Sequence, residues 1–178
     1  MARRNWRTMF GMPGAVADSS TLIGLAAIGR LSLLREFHGK VLVPPAVWRE
    51  VVTEGRGKPG AAEVEQARLA GWIEVVRPSN EDLVRLLKAE LDEGEAEAVA
   101  LAVECRAEAV FLDEAEARKA AEIYGLRKAG VVGILLRAKL EGRISSLRSD
   151  LDRLRTEAGF RLSEAIYRRI LQEAGESS

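Results

Sequence analysis

One histidine, His38, stands in a chain of 178 residues. That scarcity excludes a His-rich zinc site. It also makes a Ser-His-Asp triad or a Cys-His pair hard to build anywhere away from position 38. Cysteine is as scarce: Cys105 alone forms no intrachain disulfide, which suits a reducing cytosol. Its simplest role is that of a small buried apolar side chain. Aromatic residues make up only 5% of the chain, so Leu, Ala, Val and Ile carry the packing. No apolar run approaches the roughly 18–20 residues of a membrane helix. The basic N-terminus, MARRNWRTMFGMPGAV, lacks the continuous apolar stretch of a signal peptide. The expected location is the cytoplasm, with no membrane partner. Net charge is missing as well, since 27 Lys and Arg balance 27 Asp and Glu. Bulk electrostatics therefore announce no nucleic-acid binder.

What is present is an ordinary apolar fraction, 47%, enough to bury a core, in a length that favours one domain. Strand-like and helix-like patterns alternate from position 16 to position 140. That alternation predicts an α/β fold with a mostly parallel sheet. Strands are expected at 14–17, 40–43, 72–76 and 108–112, with a short last one at 128–132. Helices are expected after Asp18 and at 30–37, 46–52, 61–70, 81–91, 115–124 and 134–140, with a further one opening at 92–95. Residues 1–13 read as a flexible leader, with Met1 and Met12 both eligible as the native start. Residues 14–142 read as the main domain. In residues 143–178, Leu147, Leu151 and Leu154, then Ile166, Ile170 and Leu171, recur at helical spacing, which predicts a helical hairpin packed on that domain. The glycine-rich loop at 53–60 lacks the spacing of a phosphate-binding loop.

The chemistry left to this chain is carboxylate chemistry. Asp18 ends the first strand pattern and Asp113 ends the fourth. In parallel α/β sheets, sites form beyond the carboxyl ends of the strands. Glu95 opens a helix, and that start can be brought to the same edge. Each acid also has a plain structural use. Asp18 can cap the helix that follows it, Glu95 fits a D-x-x-E capping box with Asp92, and Glu50 fits a solvated helix face. Carboxylates that converge cannot stay buried, ionised and unpaired. Oxygen-only donors favour Mg²⁺ or Mn²⁺. Zero net charge hides a split between an acidic segment, 81–122, and a basic one, 127–169. An acidic pocket beside a basic flank suits phosphodiester chemistry, while salt-bridged helix faces give the same pattern.

Four segments, AVADSSTLIGLAAIGRLSLL, VLVPPAVWREVV, DEGEAEAVALAVE and AVFLDEAEARKAAEIYGL, resemble the PIN-domain superfamily of metal-dependent ribonucleases, which includes toxins of VapBC-type toxin–antitoxin pairs. VVGILLRAKLEGRI and GFRLSEAIYRRILQEAGE resemble one prokaryotic PIN-like subfamily, so the resemblance spans roughly positions 16 to 176. It implies a three-layer α/β/α domain around a mostly parallel central sheet of four to five strands. It implies a Mg²⁺- or Mn²⁺-dependent endoribonuclease of the toxin type. RNA is then the substrate, a small antitoxin protein the partner, and a homodimer the assembly. Asp18, Glu50, Glu95 and Asp113 become the catalytic acids, and Asp18, Glu95 and Asp113 the metal ligands. Ser20 is the hydroxyl companion of Asp18, and Glu116 a supporting acid. Two positions depart from the pattern. Glu95 stands where many PIN nucleases have aspartate, which keeps the charge and adds a methylene. KAGVVGILL has valine where a threonine or serine is expected before its second glycine. A non-catalytic PIN-like module that binds RNA or protein is the alternative. A haloacid-dehalogenase-type phosphatase needs a second aspartate where Ser20 stands, and a receiver-domain layout fits poorly.

Overall fold

The computed structural model describes residues 14–176, and the leader expected at 1–13 lies outside them. The chain runs β1 (Ala15–Ala17), α1 (Ser19–Ala27), α2 (Ser32–His38), β2 (Val41–Val43) and α3 (Pro45–Trp48). Pro45 sits in the first turn of α3, where a missing N–H costs nothing. α3 runs on into a wider π turn, Arg49–Thr53. Next come α4 (Ala61–Leu69), β3 (Ile73–Val75), α5 (Glu81–Leu87), α6 (Glu93–Cys105), β4 (Val110–Phe111) and α7 (Ala115–Ile123). The chain closes with β5 (Lys128–Ala129), α8 (Val131–Leu140), α9 (Leu147–Glu157) and α10 (Glu164–Glu173).

All five strands are parallel, in the order β3-β2-β1-β4-β5. The strands are nearly all apolar because the sheet is covered on both faces. Alternate residues go to opposite sides. Ala15, Ala17, Val41, Val43 and Phe111 pack with α1, α2, α4, α8 and α9. Val16, Leu42, Val110 and Leu112 pack with α5, α6 and α7. The result is the three-layer α/β/α arrangement. In α6, residues Ala96, Ala98, Ala100 and Ala102 are all fully buried, so that small side chains bring the helix close to the sheet. On the other face, a Cβ at Gly24 would meet Val131 Cγ2 at 3.3 Å and Leu154 Cδ1 at 3.4 Å, so glycine lets α1 cross α8 and α9 tightly.

α9 adds Leu147, Leu151 and Leu154, each fully buried, to the same core as β1. Two polar clasps fix it there. Arg30 donates to Asp150 through Nε at 2.8 Å and Nη2 at 3.3 Å, and Arg153 Nη1 donates to the Ile28 carbonyl at 2.9 Å. The first turn of α9 is closed by Glu176, which accepts from the Leu147 and Arg148 amides at 2.7 and 2.9 Å and pairs with Lys139 at 2.8 Å. Burial pushes the Glu176 carboxyl up, but Lys139 and those two amides outweigh it and hold it at about 2.

Most helix ends follow the sequence signals. Asn80, Ser146 and Ser163 accept from the amides of Leu83, Ser149 and Ile166. One boundary differs with consequence. The expected strand to 132 and helix from 134 give way to β5 ending at Ala129 and α8 starting at Val131. Gly133 is therefore helix interior rather than punctuation.

Candidate metal centre

β1 and β4 are neighbours, with Val16 opposite Val110 and Ala17 opposite Phe111. The chain lays β2 and β3 on one side of β1, then β4 and β5 on the other. Strand order reverses between β1 and β4, and a crevice opens at such a switch point. Asp18 follows β1 directly and Asp113 lies just beyond β4, so both reach this crevice.

Asp18 is the N-cap of α1. Its Oδ1 accepts from the Thr21 amide at 3.0 Å and its Oδ2 from Ser20 Oγ at 3.1 Å. Asp113 is held from two sides. Its Oδ2 accepts from Thr21 Oγ1 at 2.9 Å and from Ser20 Oγ at 3.3 Å, while its Oδ1 accepts from the Val131 amide at 3.0 Å. That amide belongs to the first residue of α8, in the segment where valine replaces the expected hydroxyl. The segment still makes its polar contact, through the backbone. Asp18 is buried, and burial, followed by the charge of Asp113, pushes its carboxyl up to about 7. Burial likewise raises Asp113, against the hydrogen bonds it accepts and the nearby Arg118. Ser20 has a single hydroxyl proton and two carboxylates in reach, so it serves one of them at a time. A proton retained on Asp18 completes the chain from Asp18 through Ser20 to Asp113.

A second pair of acids lies at the start of α6. Glu50 sits in the π turn after α3, is exposed, and accepts from Ser19 Oγ at 2.8 Å. Single π turns recur at functional sites, and here the turn sets Glu50 beside the N-terminus of α6. A Cβ at Gly94 would lie 3.6 Å from Glu50 Oε2. Glu95 closes the predicted capping box. The Asp92 amide donates to Glu95 Oε2 at 3.1 Å, and the Glu95 amide to Asp92 Oδ1 at 2.8 Å. Burial and then the charges of Asp92, Glu114 and Glu50 raise the Glu95 carboxyl, against the amide bond to Asp92.

The structure therefore joins Asp18, Asp113 and Ser20, and sets Glu95 among Glu50, Asp92 and Glu114. It does not close Asp18, Glu95 and Asp113 into one ligand set. Among the described residues, no three His, Cys, Asp or Glu side chains stand ready to hold a metal. The reason is local, since the Glu95 carboxylate bends back to its own helix start. Glu116 is engaged elsewhere, accepting from Lys119 Nζ at 3.0 Å on the exposed face of α7. Thr21, Ser19, Glu114 and the Val131 amide were absent from the sequence-derived site. Only the hydroxyl run Ser19-Ser20-Thr21 carried a signal for any of them. The basic flank is mostly paired as well. Arg137, Arg143, Arg153, Arg155 and Arg169 all bridge to glutamates, whereas no side-chain hydrogen bond or ion pair is made by Arg127, Arg161 or Arg168 among the described residues.

Glu95→Gln separates the two uses of this residue. Glutamine keeps the capping box, so the variant is expected to melt within about 0.5 kcal/mol of the parent. Its Mn²⁺ affinity, read by calorimetry, is expected to drop if the charge serves a metal. Unchanged affinity would limit Glu95 to capping.

A family model described as a PIN domain matches residues 14–176. The chain belongs to the PIN-domain family. No curated protein matches it. PIN domains are usually metal-dependent nucleases, and the Asp18 and Asp113 carboxylates with the Ser20 and Thr21 hydroxyls are oxygen donors of the kind a hard divalent cation takes. Buried Asp18 and half-buried Asp113 share the donors of Ser20 and Thr21, burial raises both, and the charge of Asp113 raises Asp18 further, so positive charge is what the crevice lacks. Their partners are oxygens and amides. His38 is away at the entry to β4, against Glu108, and Cys105 is buried in α6. No helix of the described residues is long and apolar enough to cross a membrane.

Proposed function

We propose that this PIN domain is a Mg²⁺- or Mn²⁺-dependent endoribonuclease of the toxin type. One observation supports it most. Asp18 and Asp113, far apart in sequence, meet at the switch point over the shared Ser20 hydroxyl, in the order the family uses. When bound, a divalent cation supplies charge neutralisation for a phosphate oxyanion and a water of lowered pKa. Asp18 and Asp113 would hold that cation and would be ionised in doing so. Glu50, exposed and tethered to Ser19, takes the proton of the attacking water at Oε1 or Oε2. Glu95, at the mouth, leaves its cap to complete the acidic ring. A small antitoxin closes the same mouth with a basic side chain, and the active assembly is a homodimer.

Purified protein with Mn²⁺ is expected to cut RNA within the chain. Asp18→Asn and Asp113→Asn are each expected to lower kcat by at least about 100-fold. Equal cutting by parent and variants sinks the reading. A second reading, a non-catalytic RNA- or protein-binding module, draws on Glu95 being turned into its helix cap. Retained RNA binding without Mn²⁺-dependent cleavage selects that one.

A further inference from the structure

Thr21 holds both aspartates with separate donors, its amide to Asp18 Oδ1 at 3.0 Å and its hydroxyl to Asp113 Oδ2 at 2.9 Å, whereas Ser20 reaches both with one hydroxyl. We propose that Thr21 is a positioning residue of the metal centre, fixing the two carboxylates at one spacing for a divalent cation. The inference rests on the metal-nuclease reading above.

Three observations carry it. Thr21 is fully buried, on the face of α1 that also buries Leu22 and Leu25. An apolar side chain of the same shape fits such a place, and a buried hydroxyl is costly unless it is bonded. Its bond runs to the neighbouring strand's acid, 92 positions away. Ser20 cannot do this work, because its one proton is divided between two acceptors. The Thr21 hydroxyl makes its short bond to Asp113, and the Thr21 amide holds Asp18 independently, so Thr21 engages both acids whichever one Ser20 serves. Finally, Asp113 is clamped from the far side by the Val131 amide, so loss of the Thr21 hydroxyl leaves its Oδ2 only the longer, shared contact to Ser20 at 3.3 Å while Oδ1 stays pinned. The carboxylate then pivots about Oδ1, and its free edge leaves the crevice.

Thr21→Val removes the hydroxyl and keeps the shape, whereas Thr21→Ser keeps the hydroxyl. Mn²⁺ binding is read by calorimetry and by the Mn²⁺ paramagnetic resonance spectrum, and cleavage by kcat and KM on RNA. Thr21→Val is expected to weaken Mn²⁺ and to lower kcat by about 10-fold or more, with KM for RNA little changed and melting at or above the parent. Thr21→Ser is expected to stay within about threefold of the parent on both readings. Parent-like Mn²⁺ affinity in Thr21→Val overturns the proposal, as does a serine variant no better than the valine. A parent that binds no Mn²⁺ overturns it together with the metal reading. Weakened Mn²⁺ in Thr21→Val alone, with no RNA cut by any form, supports the positioning role and sinks only the ribonuclease reading.

Discussion

Replacing Asp18 with asparagine is expected to stabilise the metal-free protein by on the order of 4 kcal/mol at about pH 8, and by almost nothing at about pH 4. The Asp18 carboxyl moves from an ordinary 3.8 to about 7 on folding, first through burial and then through Asp113. Below 3.8 both the folded and unfolded chains hold the proton, and nothing is lost. Between 3.8 and 7 the unfolded chain releases it and the folded chain keeps it, so the parent loses stability as pH rises through that window. Above 7 the deficit is constant. Asparagine has no proton to release, so its curve lacks this slope. Thermal melts across pH in chelator test the point, and parallel curves for the two proteins would falsify it. Saturating Mn²⁺ is expected to narrow or reverse the order, because the cation binds only the ionised pair. A substitution that stabilises the empty fold while removing activity marks a group kept for chemistry rather than for stability.

Gly130→Ala is the second large effect. The backbone at Gly130 is extended, at φ −127° and ψ −177°, so alanine meets no conformational strain there. The obstacle is steric. A Cβ would lie 2.5 Å from Asp113 Oδ1 and 3.3 Å from the Leu112 carbonyl. The methyl group and the carboxylate oxygen cannot both keep their places. Either Asp113 leaves the Val131 amide, or α8 moves away with its buried Val131, Ile134 and Leu135. Activity is expected to fall by about 100-fold, and stability by about 1–3 kcal/mol. Gly133→Ala, three residues on, is the control. Its Cβ would find only Ala129 Cβ, at 3.9 Å, and helix propensity favours alanine. Equal behaviour of the two variants would show that Asp113 does not need its present position.

Much of this fold was legible because its signals are local. Alternating patterns gave the α/β class, and a parallel sheet buried on both faces explains its uniformly apolar strands. Asp92 and Glu95 could be read as a capping box because both halves of that contact lie within one turn. The structure confirms that contact, and this is why Glu95 stands apart from Asp18 and Asp113. Non-local facts were not legible. No pattern within residues 19–21 reports that β4 will settle beside β1, so the reach of Thr21 to Asp113 had no signature. The Gly130 contact was hidden for the same reason. Gly130 and Gly133 look alike in KAGVVGILL, yet one abuts a carboxylate and the other sits inside a helix. The basic tail misled in a different way. Arginines such as Arg153 and Arg155 read as a flank for a polyanion, but their partners Glu157 and Glu164 follow at helix-turn and hairpin distances.

The sheet order has a consequence for synthesis. β1 is made first and sits in the middle, yet one of its two neighbours is β4. Ser20 waits 93 positions for Asp113, and α9 is closed by Glu176. A chain still growing on the ribosome carries Asp18 without its partner and α1 without α9. The interleaved topology keeps Asp18 and Asp113 apart until the chain has been made through β4.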